Sequence, residues 1–154
     1  MSQGEPSQAP TVQIEGVNPI FRVRNLAASI EYYTKKLGFK LNWRASEDFA
    51  NVARGRCSIF LCEGDQGNFG TWLWVGVTDA DALYEEYRAS GAKIRHPPTN
   101  YQWAYEMQIE DLDGNILRLG SEPKEGQPIG DWLDMRGDTW TRTPEGGWTR
   151  VPRS

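Results

Sequence analysis

Histidine, cysteine and long apolar segments are scarce in this sequence: one His and two Cys occur among 154 residues. Proton transfer and nucleophilic attack usually rely on His or Cys set beside a base, and no Ser/His/Asp or Cys/His set or Gly-rich phosphate loop stands out. No segment approaches the roughly 18 apolar residues that cross a bilayer. The net charge of −4 argues against nucleic acid, which requires a basic face. We therefore expect neither a membrane protein nor a nucleic-acid binder.

The two cysteines are predicted to be reduced. Cys57 and Cys62 lie five positions apart in a segment that reads as one strand, so their Cα atoms would be about 17 Å apart and their side chains on opposite faces. A disulfide requires less than about 7 Å. Residues 1–10 carry neither the basic start nor the apolar segment of a signal peptide, and we expect a cytoplasmic protein.

The length suits one globular domain with flanking segments. Residues 1–16 are polar and predict a flexible N-terminal tail. Residues 17–122 contain the periodic segments of a folded domain, and residues 123–154 read as a linker and a Trp-rich extension. In the extension, two Trp-Thr-Arg tripeptides flank a Pro-Glu-Gly-Gly turn (144–147), which predicts a small hairpin. Because an isolated hairpin is marginal in water, we expect it to pack on the main domain or on a second subunit.

Two copies of one unit fill the central part of the chain. Asn25 and Asp79 are suitable N-caps for two amphipathic helices, and Gly38 and Gly91 are suitable C-terminal stops. An apolar run precedes each helix, at residues 19–23 and 72–77. Alternating segments follow the helices at residues 39–44, 48–54, 56–62, 93–95, 104–110 and 115–120. The pattern predicts an α+β fold of two βαβββ modules (17–63 and 71–122), whose curved mixed sheet leaves a concave face as a ligand groove.

These motifs resemble the vicinal-oxygen-chelate superfamily, which includes glyoxalase I, extradiol dioxygenases, fosfomycin-modifying enzymes and the bleomycin-resistance proteins. The resemblance covers about residues 17–122 and is strongest to the bleomycin-resistance proteins. It is carried, in order, by residues 19–26 (PIFRVRNL), 32–34 (YYT), 37–39 (LGF), 47–52 (EDFANV), 59–61 (IFL), 71–75 (TWLWV), 102–107 (QWAYEM) and 110–115 (EDLDGN).

The resemblance also implies where a metal would bind. Enzymes of the superfamily hold a divalent ion with His and Glu, and those positions fall near Asn18, Glu63, Trp72 and Arg118. A Trp ring has no lone pair to offer and a guanidinium repels a cation, so the sequence predicts no metal and no other cofactor. We expect the single His96 to be a loop residue outside the site.

The resemblance further implies a ligand site. Phe49 and Trp103 fall where bleomycin-resistance proteins sandwich the planar bithiazole of the drug, with the two rings supplied by different subunits of a homodimer. Trp72 would line the same groove, and Glu47 and Asp48 would attract a cationic ligand. No catalytic residue is predicted.

The sequence favours one non-enzymatic function and leaves two rivals. The first is metal-independent binding and sequestration of an aromatic, cationic, bleomycin-type antibiotic at a homodimer interface. The second is a lyase, isomerase or dioxygenase of the same superfamily, either metal-dependent or with an altered site. The third is a regulatory or scaffolding module whose Trp-rich extension binds a protein.

Overall fold

The first repeat folds as a βαβββ module. A computed structural model of the chain describes Gly4 and residues 11–45 and 47–153. The module consists of β1 (Ile20–Arg22), α1 (Leu26–Glu31), β2 (Lys40–Arg44), β3 (Phe49–Arg54) and β4 (Cys57–Cys62). Its sheet has the order β1-β4-β3-β2, in which β1 pairs parallel to β4 and the other pairs are antiparallel. The sheet is therefore mixed, as predicted.

The second repeat has the same topology. It consists of β5 (Trp72–Gly76), α2 (Ala80–Ser90), β6 (Lys93–Asn100), β7 (Tyr105–Glu110) and β8 (Ile116–Ser121). The order β5-β8-β7-β6 reproduces that of the first sheet, with β5 parallel to β8. The predicted α+β fold of two βαβββ modules is confirmed.

The predicted helix boundaries are confirmed by their caps. The Asn25 side chain accepts a hydrogen bond from Ala28 N at 2.9 Å, and Asp79 accepts one from Ala82 N at 3.0 Å. Gly38 and Gly91 end the helical segments with φ of 74° and 80°, values that an L side chain rarely adopts.

A π-helical segment, Tyr32–Lys36, continues α1 and was not predicted from the periodicity. A π-turn contains more residues than an α-turn, so neighbouring side chains change face where the two forms meet. Here the consecutive residues Tyr32 and Tyr33 are both buried, with exposures of 8% and 0%. A regular α-helical period through Leu26, Ile30 and Leu37 would place Tyr33, and not Tyr32, on the inner face.

One hydrophobic core lies between the helices and the facing sides of the two sheets. Val52, Ile59 and Leu61 contribute from the first module and Met107, Ile109 and Leu117 from the second. Side chains alternate along a strand, so the intervening residues turn to the sheet face away from the helices, which we call the outer face.

The loop between β7 and β8 joins the two modules. Tyr33 Oη donates a hydrogen bond to Asp111 Oδ2 at 2.9 Å. Asp111 also accepts bonds from the backbone N–H of Asp113 and from Asn115. The Asn115 amide donates to Arg22 O at 3.2 Å. Burial raises the pKa of Asp111, and this set of donors satisfies its buried carboxyl oxygens.

Strand β6 is longer than predicted. It continues to Asn100 across Pro97 and Pro98 at the edge of its sheet, where a strand tolerates Pro because one side of it has no ladder to complete. Irregular register accompanies the prolines. The prediction that His96 lies in a loop is wrong: His96 pairs with Gln108 in this edge strand.

The extension forms a three-stranded antiparallel sheet with the order β11-β10-β9. Its strands are β9 (Trp132–Leu133), β10 (Thr139–Arg142) and β11 (Trp148–Arg150). The predicted hairpin corresponds to β10 and β11, whereas β9 was not predicted. At the other end, most of the polar tail predicted over residues 1–16 lies outside the described residues, and residues 11–16 are exposed.

Two further predictions concern the described part of the chain. Cys57 and Cys62 stand at the two ends of β4 and are both free thiols, as predicted. None of the helices in residues 11–45 and 47–153 is long and apolar enough to cross a membrane.

Replacing Tyr33 by Phe should test the link between the modules. The substitution removes the buried hydrogen bond to Asp111, and we expect the free energy of unfolding to fall by about 1.5–3 kcal/mol in urea denaturation. Tyr84→Phe is the matched control, because the Tyr84 hydroxyl has no hydrogen-bond partner among the described residues. It should change stability by less than about 0.5 kcal/mol. Equal effects of the two substitutions would contradict the assignment.

Candidate ligand-binding site

The outer face of the first module carries a patch of three aromatic rings, which we call the module 1 patch. Phe49 lies 6.0 Å from Trp43 in a stacked arrangement and 5.2 Å from Phe60, between ring centroids. Ala50 and Val52 of the same strand enter the core, so alternation turns Phe49 outward. Trp43 is 42% exposed. The patch therefore presents aromatic surface to the solvent.

Glu47 and Asp48 lie in the turn directly before β3 and are exposed. The Asp48 carbonyl accepts a hydrogen bond from Glu63 N at 2.8 Å, and Arg44 Nη2 donates to the Glu47 carbonyl at 3.2 Å. These contacts use backbone oxygens and place two carboxylates beside Phe49.

Trp72 and Trp103 belong to the other module. Trp103 stacks on Tyr101 with ring centroids 4.8 Å apart and an angle of 3° between planes, and Trp103 is 45% exposed. Trp72 packs against Trp132 at 6.2 Å. One face of Trp103 is thus covered by Tyr101, and part of the ring remains accessible.

An ion pair between Arg118 and the buried Glu106 holds Trp103 in place. Glu106 is 1% exposed and accepts two hydrogen bonds from Arg118, at 2.8 Å from Nε and 3.0 Å from Nη2. Trp103 Nε1 donates to the same carboxylate. Bidentate Arg–carboxylate pairing is strong and directional, so this network sets the orientation of the indole.

The extension covers the outer face of the second module. Gln108 Nε2 donates to Leu133 O at 3.0 Å, and Tyr101 Oη donates to Asp131 O at 2.7 Å. The Arg118 guanidinium lies over the Trp132 ring at 4.8 Å. Of the two expected partners for the extension, the main domain of the same chain is the one it contacts here.

Two cavities are relevant to ligand binding. One, of about 560 Å³, is lined by Trp103, Arg118, Trp132, Asp134, Trp140 and Trp148. A larger one of about 800 Å³ lies between the modules and is bordered by Trp74, Arg54 and Glu86. The larger cavity contains none of the predicted site residues, whereas the smaller one contains Trp103.

The model of the glyoxalase/bleomycin resistance protein/dioxygenase superfamily matches residues 14–119 of the sequence. The chain belongs to this superfamily. A comparison with curated protein sequences gives no significant match.

Several solved structures share the fold at low sequence identity. The bleomycin-binding protein of Streptomyces verticillus, crystallised with copper(II)-bleomycin, is 24% identical with a TM-score of 0.62, over 72% of this chain and 98% of that one. TnmS3, an antibiotic-binding protein from Streptomyces sp. CB03234, is 20% identical with a TM-score of 0.62, over 73% and 99% of the two chains. A superfamily member from Nocardioides is 22% identical with a TM-score of 0.58, over 78% and 91%.

The residues at the superfamily's expected metal positions have other contacts in this chain. Glu63 Oε2 accepts a hydrogen bond from Leu26 N at 2.8 Å and so caps α1. Trp72 packs on Trp132, and Arg118 pairs with Glu106. In the part of the chain that the structure describes, no three His, Cys, Asp or Glu side chains are arranged to hold a metal ion.

The predicted site residues form two groups. Glu47, Asp48 and Phe49 lie together on the first module, and Trp72 and Trp103 lie on the second. Sequence reasoning missed five rings that contact them: Trp43, Phe60, Tyr101, Trp132 and Trp148. The repeated Trp-Thr-Arg tripeptide marked the extension as unusual, but it carried no information on the face that the extension would cover.

His96 offers a test of acid sensitivity. Burial lowers the pKa of His96 below its ordinary value of 6.5, so the folded chain binds its proton less readily than the unfolded chain. The contribution of His96 to the free energy of unfolding should therefore fall as the pH drops through the ordinary pKa of His, and level off below the folded value. His96→Gln should abolish this part of the pH dependence in urea titrations between about pH 7 and 5. An unchanged slope would contradict the assignment.

Proposed function

We propose that this protein binds and sequesters a planar, aromatic, cationic antibiotic of the bleomycin type in the cytoplasm, without a metal and without chemical conversion. The observation that carries the proposal is the exposed aromatic surface on the outer face of each module. Aromatic rings at such positions favour planar ligands, since offset stacking contributes about 0.5–1.5 kcal/mol per pair beyond the burial of area.

Two grooves at a homodimer interface would use both aromatic surfaces. The module 1 patch, in which Trp43 is 42% exposed, leaves apolar area open on a single chain, and exposed apolar patches often mark interfaces. A two-fold axis repeats each contact. The dimer would therefore contain two grooves, each formed by Phe49 of one subunit and Trp103 of the other. Trp72, covered by Trp132, would support the groove from behind.

The charge beside the module 1 patch favours a cationic ligand. Glu47 and Asp48 are exposed acids next to Phe49, and like-signed acids at the mouth of a groove raise the local concentration of cations. Arg44 lies close to them and reduces this field in part.

Independence from metal is supported by the chemistry of the candidate ligand positions. Glu63 caps a helix, Arg118 is held in a bidentate ion pair, and Trp72 cannot donate a lone pair. A rival enzyme of the superfamily would need a different donor set. The names of two structural relatives, which are bleomycin- and antibiotic-binding proteins, favour binding over catalysis.

Truncating the two predicted sandwich rings should weaken ligand binding. We expect Trp103→Ala and Phe49→Ala each to reduce the affinity for bleomycin by about 1–3 kcal/mol, a tenfold to hundredfold loss in fluorescence titrations. Phe49→Tyr should have far less effect, because its aromatic face remains. Phe69→Ala is the matched control, since Phe69 is 40% exposed and its ring lies against Arg22 and Arg24, away from both groups of site residues.

Mixing the two variants tests whether the rings come from different subunits. In a heterodimer of Phe49→Ala and Trp103→Ala chains, one groove has lost both rings and the other has kept both. After exchange of subunits, about a quarter of all grooves should regain full affinity. No recovery, or a monomer by light scattering at micromolar concentration, would contradict the dimer groove.

Metal content separates binding from the rival enzymatic function. We expect purified protein to contain no stoichiometric divalent metal by elemental analysis, and EDTA to leave the affinity for metal-free bleomycin unchanged. Glu63→Gln should alter thermal stability through the cap of α1 and leave metal content unchanged. About one divalent ion per chain, lost together with binding on EDTA treatment, would favour the enzyme.

A further inference from the structure

The extension and the second module together enclose a set of four indole rings, which we call the Trp box: Trp103, Trp132, Trp140 and Trp148. Trp132 lies 6.0 Å from Trp103 at an angle of 75°, and Trp148 lies 6.3 Å from it at 45°. Tyr101 backs the box by stacking on Trp103. The four rings line the cavity of about 560 Å³, within the usual range of about 300–1,000 Å³ for small-molecule pockets.

Two of the four indole N–H donors of the box, and its guanidinium, already have partners. Trp103 Nε1 donates to Glu106, and Trp140 Nε1 donates to Asp134 Oδ2 at 2.9 Å. The Arg118 guanidinium at the cavity wall is held by Glu106. What the box offers a ligand is therefore mainly ring faces, which carry negative electrostatic potential and attract cations.

Charges of both signs border the box: Asp134 is its acid, and the Arg142 guanidinium lies over Trp148. The hydrogen bond from Trp140 lowers the pKa of Asp134, so this residue is an anion at neutral pH. Glu106, the other acid in contact with the box, is neutralised by Arg118. An anionic ligand would meet Asp134 and find the Arg118 fork occupied, whereas a cation would be attracted.

Two side chains of the protein already make the contact that such a ligand would make. The Arg118 guanidinium lies over Trp132 at 4.8 Å, and that of Arg142 lies over Trp148 at 5.5 Å. Both are planar cations on indole faces. Trp103 is 45% exposed and leaves surface for a further planar group.

We propose that the Trp box is a binding site for a planar organic cation and is completed within one protomer. The extension thereby supplies ligand-binding residues, Trp132 and Trp148, that the superfamily match over residues 14–119 does not include. Its part in capturing an antibiotic rests on the function proposed above, whereas its preference for a planar cation does not. The box shares Trp103 with the dimer groove and does not involve Phe49.

Three small probes of similar shape and different charge test the preference. N-methylquinolinium is a cation, quinoline is neutral at neutral pH, and 1-naphthalenesulfonate is an anion. In calorimetric titrations of the full chain, we expect the cation to bind about tenfold more tightly than quinoline, and the anion more weakly than both. Equal affinities for the three probes, or a preference for the anion, would overturn the proposal.

Single substitutions locate the site. Trp148→Ala should weaken N-methylquinolinium binding about tenfold, while Phe69→Ala, at a ring that is 40% exposed and lies against Arg22 and Arg24, leaves it unchanged. Insensitivity to Trp148→Ala, or equal sensitivity to Phe69→Ala, would place the site elsewhere.

Asp134→Asn removes the charge and keeps one oxygen for the backbone N–H groups of Arg136 and Asp138, although Trp140 Nε1 loses its acceptor. The affinity for the neutral quinoline reports whether the extension remains docked. The substitution should reduce the advantage of the cation over quinoline and leave the affinity for quinoline unchanged.

The two proposals fail in different ways. If bleomycin does not bind but N-methylquinolinium binds and is sensitive to Trp148→Ala, the proposed function is wrong and the Trp box stands. If bleomycin binds with sensitivity to Phe49→Ala but N-methylquinolinium does not bind, the inference about the Trp box is wrong and the dimer groove stands.

Discussion

The buried ion pair between Glu106 and Arg118 is the interaction on which the second module's outer face depends. A carboxylate that is 1% exposed is unfavourable without a partner, and removing one member of such a pair leaves an uncompensated charge. Here the carboxylate accepts two bonds from Arg118 and one from Trp103. The same contacts orient the Trp103 indole and hold the guanidinium beneath Trp132. One acid thus organises both the candidate ligand surface and the support for the extension.

The packing of the extension on the second module depends on this arrangement of polar groups. A three-stranded sheet with two-residue to four-residue strands has too little core of its own to be stable, so it requires a surface to pack on. The polar groups of the second module provide it, because Gln108 and Tyr101 donate to backbone carbonyls of the extension and Arg118 lies against Trp132. A face on which superfamily enzymes would be expected to hold a metal instead carries aromatic rings and their polar anchors.

Much of the fold could be read from local signals. Asn25, Asp79, Gly38 and Gly91 act through backbone geometry within one helical turn, and strand alternation acts over a few residues, so the repeated βαβββ pattern was visible in the sequence. Local rules failed where a longer-range contact prevailed. The π-helical segment directs the side chains of both Tyr32 and Tyr33 into the core, where Tyr33 donates a hydrogen bond to Asp111 of the other module. His96 joins an edge strand because pairing with Gln108 outweighs the neighbouring prolines.

By itself, the sequence determined the class of the fold, the helix limits, the reduced cysteines and the short supply of metal ligands, since each depends on residue type or on near neighbours. The tertiary structure alone decided which rings meet. Trp43 and Phe60 join Phe49 because strand register pairs both with Asn51, which puts them diagonal to Phe49 on the same face. Trp132 and Trp148 reach Trp103 because the extension folds back on the second module. Such encounters are set by sheet register and chain reversal, which join residues far apart in the chain, and no local pattern of residues encodes them.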